Sequence, residues 1–182
     1  IKDNCFLITF IGRLVHQKGI LDFIEIVDKL KKDSRIKFLI VGDGYLKDKI
    51  LREIYTRKID SKVFVLTNPP YTLYPNIHRI IYLSDIIIVP SYWESMPYII
   101  LESMSLGKPI IAYHVGGIPE IIEHNKNGLL VQIGCIKDIT ENILELLNNP
   151  EKIHILGVQA QRKIKRFKLE TMLRKTMSVY YN

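Results

Sequence analysis

Cysteine is scarce, with only Cys5 and Cys135 in 182 residues, and no C-x-x-C pair exists. That excludes a disulfide framework and a cysteine-held metal, and reads as two reduced, structural thiols in a cytoplasmic compartment. Neither D-x-D nor H-E-x-x-H occurs, so no metal site is expected. G-x-S-x-G is also missing, which removes a hydrolase nucleophile elbow. Gly42-Asp43-Gly44 is not a dinucleotide fingerprint, because Lys47 stands where the third glycine would be. No run of about 18 apolar residues exists, so no membrane span is expected. The opening IKDNCFLITF lacks the pattern of a signal peptide. It also lacks an initiator Met, and the expectation is a piece of a longer protein.

What is present suits one soluble globular domain, with 47% hydrophobic and 25% charged residues. The net charge of +7 is uneven, with eight Lys or Arg against two Glu between Glu151 and Asn182. A basic tail can meet nucleic acid or an acidic membrane. Interleaved aromatics and a nucleic-acid motif are lacking, so no nucleic-acid partner is expected. A solvated helix face explains the charge more simply, with peripheral contact at the inner membrane face as the alternative.

Apolar runs and amphipathic stretches alternate along the chain. Strands are expected at Phe6 to Ile11, Lys37 to Val41, Lys62 to Leu66, Ile86 to Val89, Pro109 to Tyr113 and Leu129 to Val131. Helices are expected at Ile20 to Leu30, Leu46 to Ile59, Ile77 to Leu83, after Pro97, after Gly117, and from Ile136 to Leu147. Two more should run to about Lys165 and from Lys168 to Tyr181. Such alternation predicts an α/β fold, a doubly wound, Rossmann-like parallel sheet with helices on both faces. Pro69, Pro70 and Pro75 mark a loop.

The richest stretch is Pro90 to Glu120. Glu94 and Glu102 stand eight residues apart, and Pro97 suits a first helical position. Glu94 would lie in the loop after a strand and Glu102 inside the next helix. Ligands of open α/β sheets bind outside the carboxyl ends of the strands, so both carboxylates can face one crevice. Apolar residues surround that helix, which predicts a mostly buried element. A buried carboxylate needs a partner, and a ligand's hydroxyls would serve. The alternative is an ordinary exposed Glu102, and periodicity does not choose between them.

Gly12-Arg13-Leu14-Val15-His16-Gln17-Lys18-Gly19 follows the first strand. Glycine admits close approach, Arg13 offers a planar fork, Lys18 a point charge, and the next helix its positive end. Arg13 and Lys18 also read as solvated surface residues, and His16 as a polar loop residue. Gly42-Asp43-Gly44 reads as a tight turn. Gly116-Gly117 reads equally as a turn or as a close approach for sugar or phosphate.

In order and at these spacings, the motifs resemble the C-terminal, donor-binding domain of family-four retaining glycosyltransferases, one half of a GT-B fold. Gly12-Arg13-Leu14 with Lys18-Gly19 is similar to that family's diphosphate loop, and Glu94 to Glu102 to its E-x7-E motif. Gly107-Lys108-Pro109, Gly116-Gly117-Ile118-Pro119-Glu120 and Asn127-Gly128-Leu129-Leu130 are similar to its later strand and turns.

The resemblance implies transfer of a hexose from a nucleotide-sugar donor with retention, without metal or other cofactor. It implies that Arg13 and Lys18 hold the diphosphate beside Gly12, and that Glu94, the catalytic candidate, meets the sugar hydroxyls. Ser95, Met96, Pro97, Tyr98 and Ile99 would line the donor site, with backbone N–H groups near Met96, Tyr98 and Ile99 meeting sugar and phosphate. Glu102 would accept from the ribose, and the base would lie near Val65 and Leu66. Leu66-Thr67-Asn68-Pro69-Pro70 departs from the family, which often has a glycine there. The acceptor, a sugar or lipid-linked glycan, would bind an N-terminal domain of the same protein. The helix from Lys168 would pack on that domain through Leu169, Met172, Leu173, Thr176 and Tyr180. An epimerase of the same fold, a non-catalytic nucleotide-sugar module and a nicotinamide-dependent enzyme are the other classes considered.

Overall fold

A computed structural model of the chain describes residues 5–67, 77–167 and 169–180. The loop expected at Pro69, Pro70 and Pro75 lies outside the described residues. Six strands form one sheet: β1 (Phe6–Ile11), β2 (Ile36–Val41), β3 (Val63–Leu66), β4 (Ile86–Val89), β5 (Ile110–Tyr113) and β6 (Leu129–Val131). Every pairing is parallel and the order is β3-β2-β1-β4-β5-β6. Parallel neighbours need crossovers, which the intervening helices supply.

β4 shows why the sheet is covered on both faces. All four of its residues are buried. Successive side chains of a strand point to opposite faces. Ile86 and Ile88 join Ile8 and Phe10 of β1 under α1 (Ile20–Leu30) and α6 (Ile136–Asn148). Ile87 and Val89 instead join Ile110 and Ala112 under α3 (Ile77–Leu83), α4 (Tyr98–Ser105) and α5 (Ile118–Ile121). Truncating one such isoleucine to alanine should cost roughly 2–5 kcal/mol. α1 buries Phe23, Ile24, Val27 and Leu30, while Leu21, expected on that face, lies at its half-buried edge.

Some local expectations shift. α2 covers Lys47–Thr56, shorter at both ends than the pattern suggested. Pro97 is the N-cap of α4, not its first helical residue, with extended backbone at φ −77° and ψ 109°. α4 is not mostly buried. Ile100, Ser103 and Met104 face the core, Tyr98 and Ser105 are exposed, and Glu102 is half-buried. Its apolar residues outnumber the positions the sheet can cover, so some remain at the rim.

Asn149-Pro150 ends α6 by starting α7 (Pro150–Ile164). Asn149 Oδ1 accepts from the Lys152 N–H at 3.1 Å, capping the new helix. α8 (Leu169–Tyr180) leaves Met172, Leu173 and Met177 about half exposed and Tyr180 80% exposed. Among the described residues no helix is long and apolar enough to cross a membrane.

Candidate functional site

The strand order reverses between β1 and β4, the outward path from β1 running one way through β2 and the other through β4. At such a switch point, outside the carboxyl ends of the strands, open α/β sheets bind their ligands. The loop after β1 carries Gly12, Arg13 and Lys18, and the loop after β4 carries Glu94, Ser95, Met96 and Pro97. Close backbone contact locks the two loops together. Gly19, at φ 66°, ends the short 3₁₀ turn His16–Lys18 and opens α1. A Cβ there would stand 1.8 Å from the Pro90 carbonyl oxygen, so only glycine fits. The Tyr92 N–H donates to the Gln17 carbonyl at 2.8 Å, and Gln17 Nε2 donates to the Trp93 carbonyl at 3.0 Å.

At the centre, the Lys18 ammonium donates to Glu94 Oε1. The buried Ser91 hydroxyl donates to the same oxygen at 2.9 Å. The Glu94 side chain is 8% exposed and that of Lys18 22%, so the pair is screened less than a surface ion pair. The second carboxylate oxygen of Glu94 makes no hydrogen bond with the described residues and can still accept one.

The remaining candidates lie on the same two loops, on α4 and at the end of β3. Arg13 is exposed and its Nη2 donates weakly to Gln17 Oε1 at 3.4 Å, leaving most of its donors open to a ligand. Met96 and Tyr98 are exposed, at 49% and 75%. Tyr98 and Ile99 open α4, where the first N–H groups have no intrahelical acceptor. Glu102 lies one turn further on, half-buried, with no side-chain partner among the described residues. Leu66 ends β3 on the far side of β2, 43% exposed, and its carbonyl accepts from the Gly42 N–H at 3.0 Å. Leu66 is thus two strands away from the loop of Lys18 and three from that of Glu94, at the same carboxyl end of the sheet. Asn68, Pro69 and Pro70 lie outside the described residues.

The turns behave as scaffolding. The Leu14 N–H donates to the Asp43 carbonyl at 2.8 Å, and the Gly44 N–H to Asp43 Oδ1 at 2.7 Å, so Gly42-Asp43-Gly44 supports the β1 loop, while the turn itself follows at Tyr45-Leu46, closed by the Lys47 N–H on the Gly44 carbonyl at 3.0 Å. Gly116-Gly117 makes room for protein. A Cβ on Gly116 would lie 1.9 Å from the Glu94 carbonyl oxygen, and one on Gly117 1.9 Å from that of Ser95. His16 stacks on Tyr92, ring centroids 4.9 Å apart. His114 is exposed at the end of β5. Sequence reasoning gave no role to Ser91, Gln17, Asp22 or Tyr113. The contacts of Gln17 with Trp93 and of Asp22 with Tyr92 and Tyr113 span 70 residues or more, whereas Ser91 lies three residues from Glu94 in a stretch already singled out.

The sequence profile of the glycosyl transferases group 1 family matches residues 1–163. The chain belongs to that family. Among its group 1 relatives, the N-acetyl-alpha-D-glucosaminyl L-malate synthase of Bacillus anthracis is 28% identical over 183 residues, all of this chain and 47% of the relative. Staphylococcus aureus TarM, one crystal of which holds UDP, fondaparinux and alpha-GlcNAc-glycerol, superimposes with a TM-score of 0.87 at 28% identity. That match covers 98% of this chain and 36% of TarM. The C-terminal domain of a group 1 family protein (LpcC) from Francisella tularensis shares the fold at a TM-score of 0.79 and 22% identity, over 90% of this chain and 87% of that one. The sheet and its helices match the Rossmann-like fold of GT-B glycosyltransferases. The chain spans about half or less of the curated relatives it matches.

Proposed function

We propose that this group 1 domain is the donor-binding half of a retaining glycosyltransferase that takes a hexose from a nucleoside-diphosphate sugar. The observation that carries the reading is the Lys18–Glu94 pair at the switch point of the sheet. It sets one cation and one hydrogen-bond acceptor side by side at the mouth of the β1 and β4 loops. Lys18, with Arg13 beside it and Gly12 letting the backbone approach, would take the diphosphate. Glu94 would accept from the sugar's hydroxyls through its open oxygen. The first N–H groups of α4, on Tyr98 and Ile99, would meet phosphate or sugar, with Ser95, Met96 and Pro97 shaping that wall. Glu102 would take the ribose hydroxyls, and Leu66 would flank the base. UDP in a crystal of TarM supports uridine as the nucleotide.

In the reaction, the bond from the anomeric carbon to the β-phosphate oxygen breaks, a bond to the acceptor oxygen forms on the same face, and the acceptor's hydroxyl proton passes to the departing diphosphate. Negative charge gathers on the departing diphosphate. Lys18, Arg13 and the α4 dipole would neutralise it, so no divalent metal is needed. The acceptor sugar or lipid-linked glycan would bind an N-terminal domain lying across the crevice. Holding the acceptor in line accounts for about 7–11 kcal/mol of such a barrier. One wall of a crevice cannot supply that, so this chain alone would bind donor without transferring it. The half-exposed Met172, Leu173 and Met177 of α8 supply an apolar face for that domain.

A thermal-shift screen against UDP-, GDP- and ADP-sugars tests the donor. A ligand at a hundred times its Kd should add about 2.7 kcal/mol of stability. NMR of the product made by the full-length protein then reads the anomeric configuration. No stabilisation by any nucleotide-sugar, or an inverted product, overturns the reading. Glycoside formation by this chain alone overturns the two-domain part of it.

A further inference from the structure

Behind the crevice lies a polar network that the donor contacts do not use. Asp22 sits in the first turn of α1, four residues beyond Lys18. Its Oδ1 accepts from the Tyr92 hydroxyl at 2.7 Å and its Oδ2 from the Tyr113 hydroxyl at 2.7 Å. Tyr92 belongs to the loop after β4, two residues before Glu94, and Tyr113 ends β5 and is fully buried. One carboxylate thus ties together three elements that are 70 and 91 residues apart in sequence.

The chemistry of the three groups is matched. Burial above all, and then the bond to Asp22, pushes the Tyr92 phenol up to about 12 and the Tyr113 phenol higher still. Both are therefore hydroxyl donors at neutral pH, and an ionised carboxylate, accepting on both oxygens, takes one on each. The Tyr92 ring is also stacked on His16 and tilted against Tyr113, centroids 6.2 Å apart, so its plane is fixed from both sides. His16 and Lys18 share one short 3₁₀ turn, and Tyr92 and Glu94 share one loop. Displacing Tyr92 therefore displaces Glu94 relative to Lys18.

We propose that Asp22 is the positioning residue of the crevice, setting the separation of Lys18 and Glu94 by clamping Tyr92 to Tyr113. The ligand part of this proposal rests on the donor-site reading above. A merely structural role would lower the melting temperature and leave the geometry of the crevice in the folded protein unchanged.

Trp93 is the only tryptophan in the chain and lies between Tyr92 and Glu94, so its fluorescence reports the loop without any ligand. Asp22→Ala should make Trp93 more accessible to acrylamide quenching while circular dichroism and cooperative melting persist. By calorimetry its Kd for UDP-glucose should rise about tenfold, the lower end of what losing a hydrogen bond to a charged group costs. Asp22→Asn should recover most of both, because an amide can accept from one phenol and donate to the other. Tyr92→Phe, which removes one hydroxyl and keeps the ring, should move both readouts the same way by less, and it serves if Asp22→Ala does not fold. A folded Asp22→Ala with wild-type quenching and wild-type UDP-glucose affinity overturns the proposal. Absence of binding by the wild-type chain to UDP-glucose and to every other nucleotide-sugar instead sinks the donor reading. Trp93 quenching then decides the role of Asp22 by itself.

Discussion

Lys18 and Glu94, 76 residues apart in sequence, form an ion pair across the gap between the β1 and β4 loops. Each is the other's nearest charge in the crevice, and Ser91 adds a neutral donor to the same carboxylate. A phosphate arriving at Lys18 would share its ammonium with Glu94 and leave that carboxylate free to turn to a sugar.

Lys18→Ala should weaken both a nucleotide-sugar and the free nucleoside diphosphate, by about 1.5–3 kcal/mol for a lost charge-assisted bond. Arg13→Ala should act in the same direction and by less, because its exposed guanidinium is screened by solvent. Titration calorimetry with UDP reads both variants. Unchanged affinity in the pair would remove them from the site.

Glu94 and Glu102 should separate by ligand. Glu94→Ala should impair binding of the nucleotide-sugar and hardly touch free UDP, since the hydroxyls it meets belong to the sugar. Glu102→Ala should impair both, because both ligands carry the ribose. UDP binding that survives Glu102→Ala intact would refute the placement of that half-buried carboxylate.

Donor binding should persist without divalent metal. D-x-D is absent from the sequence, no clustered set of ligating side chains occurs among the described residues, and Lys18 with Arg13 would hold the diphosphate. UDP titrations of rigorously washed protein, with and without EDTA, provide the check. A large loss with EDTA contradicts the expectation.

Gly117→Ala should destabilise the fold and loosen the loop that carries Glu94. Its new methyl would collide with the Ser95 carbonyl oxygen, 1.9 Å away, and both are backbone-anchored. Overpacking of this kind costs about 1–3 kcal/mol. Denaturant unfolding measures it, and a stability equal to wild type would show that the loop can simply lift away.

Glu123, at the turn before β6, should keep its charge to low pH. The bond from Lys163 at 2.6 Å, then the one from Lys126 at 3.1 Å, holds its carboxyl down to about 2. A carboxyl depressed on folding adds stability above its unfolded value, and that stability is lost as pH falls through the folded one. The window runs from its ordinary value of 4.5 down to about 2. Carboxyl-detected NMR should follow Glu123 titrating in that window, and Glu123→Gln should flatten the acid limb of the stability curve there. A Glu123 titrating near 4.5 would mean the two lysines do not hold it in solution.

The sequence by itself determined the layers and which strand ends carry the candidate residues. Runs such as Ile86 to Val89 carry no polar alternation because both faces of a parallel strand are covered, and that makes them legible. The spacing of Glu94 and Glu102 on either side of Pro97 put one carboxylate in a strand-end loop and the other on a helix, and both are found there. Short-range chemistry was readable because it depends on neighbours a few residues away. Tertiary structure alone decided what each group touches. That Glu94 meets Lys18 and Ser91, that Gly116-Gly117 receives the Glu94-Ser95 backbone, and that Asp22 joins Tyr92 to Tyr113 all depend on strand order. So does the depth of α4, which periodicity overstated because an apolar pattern gives direction around a helix and not how much sheet lies beneath it. Those contacts form only once β1, β4 and β5 lie side by side, and no local pattern encodes that adjacency.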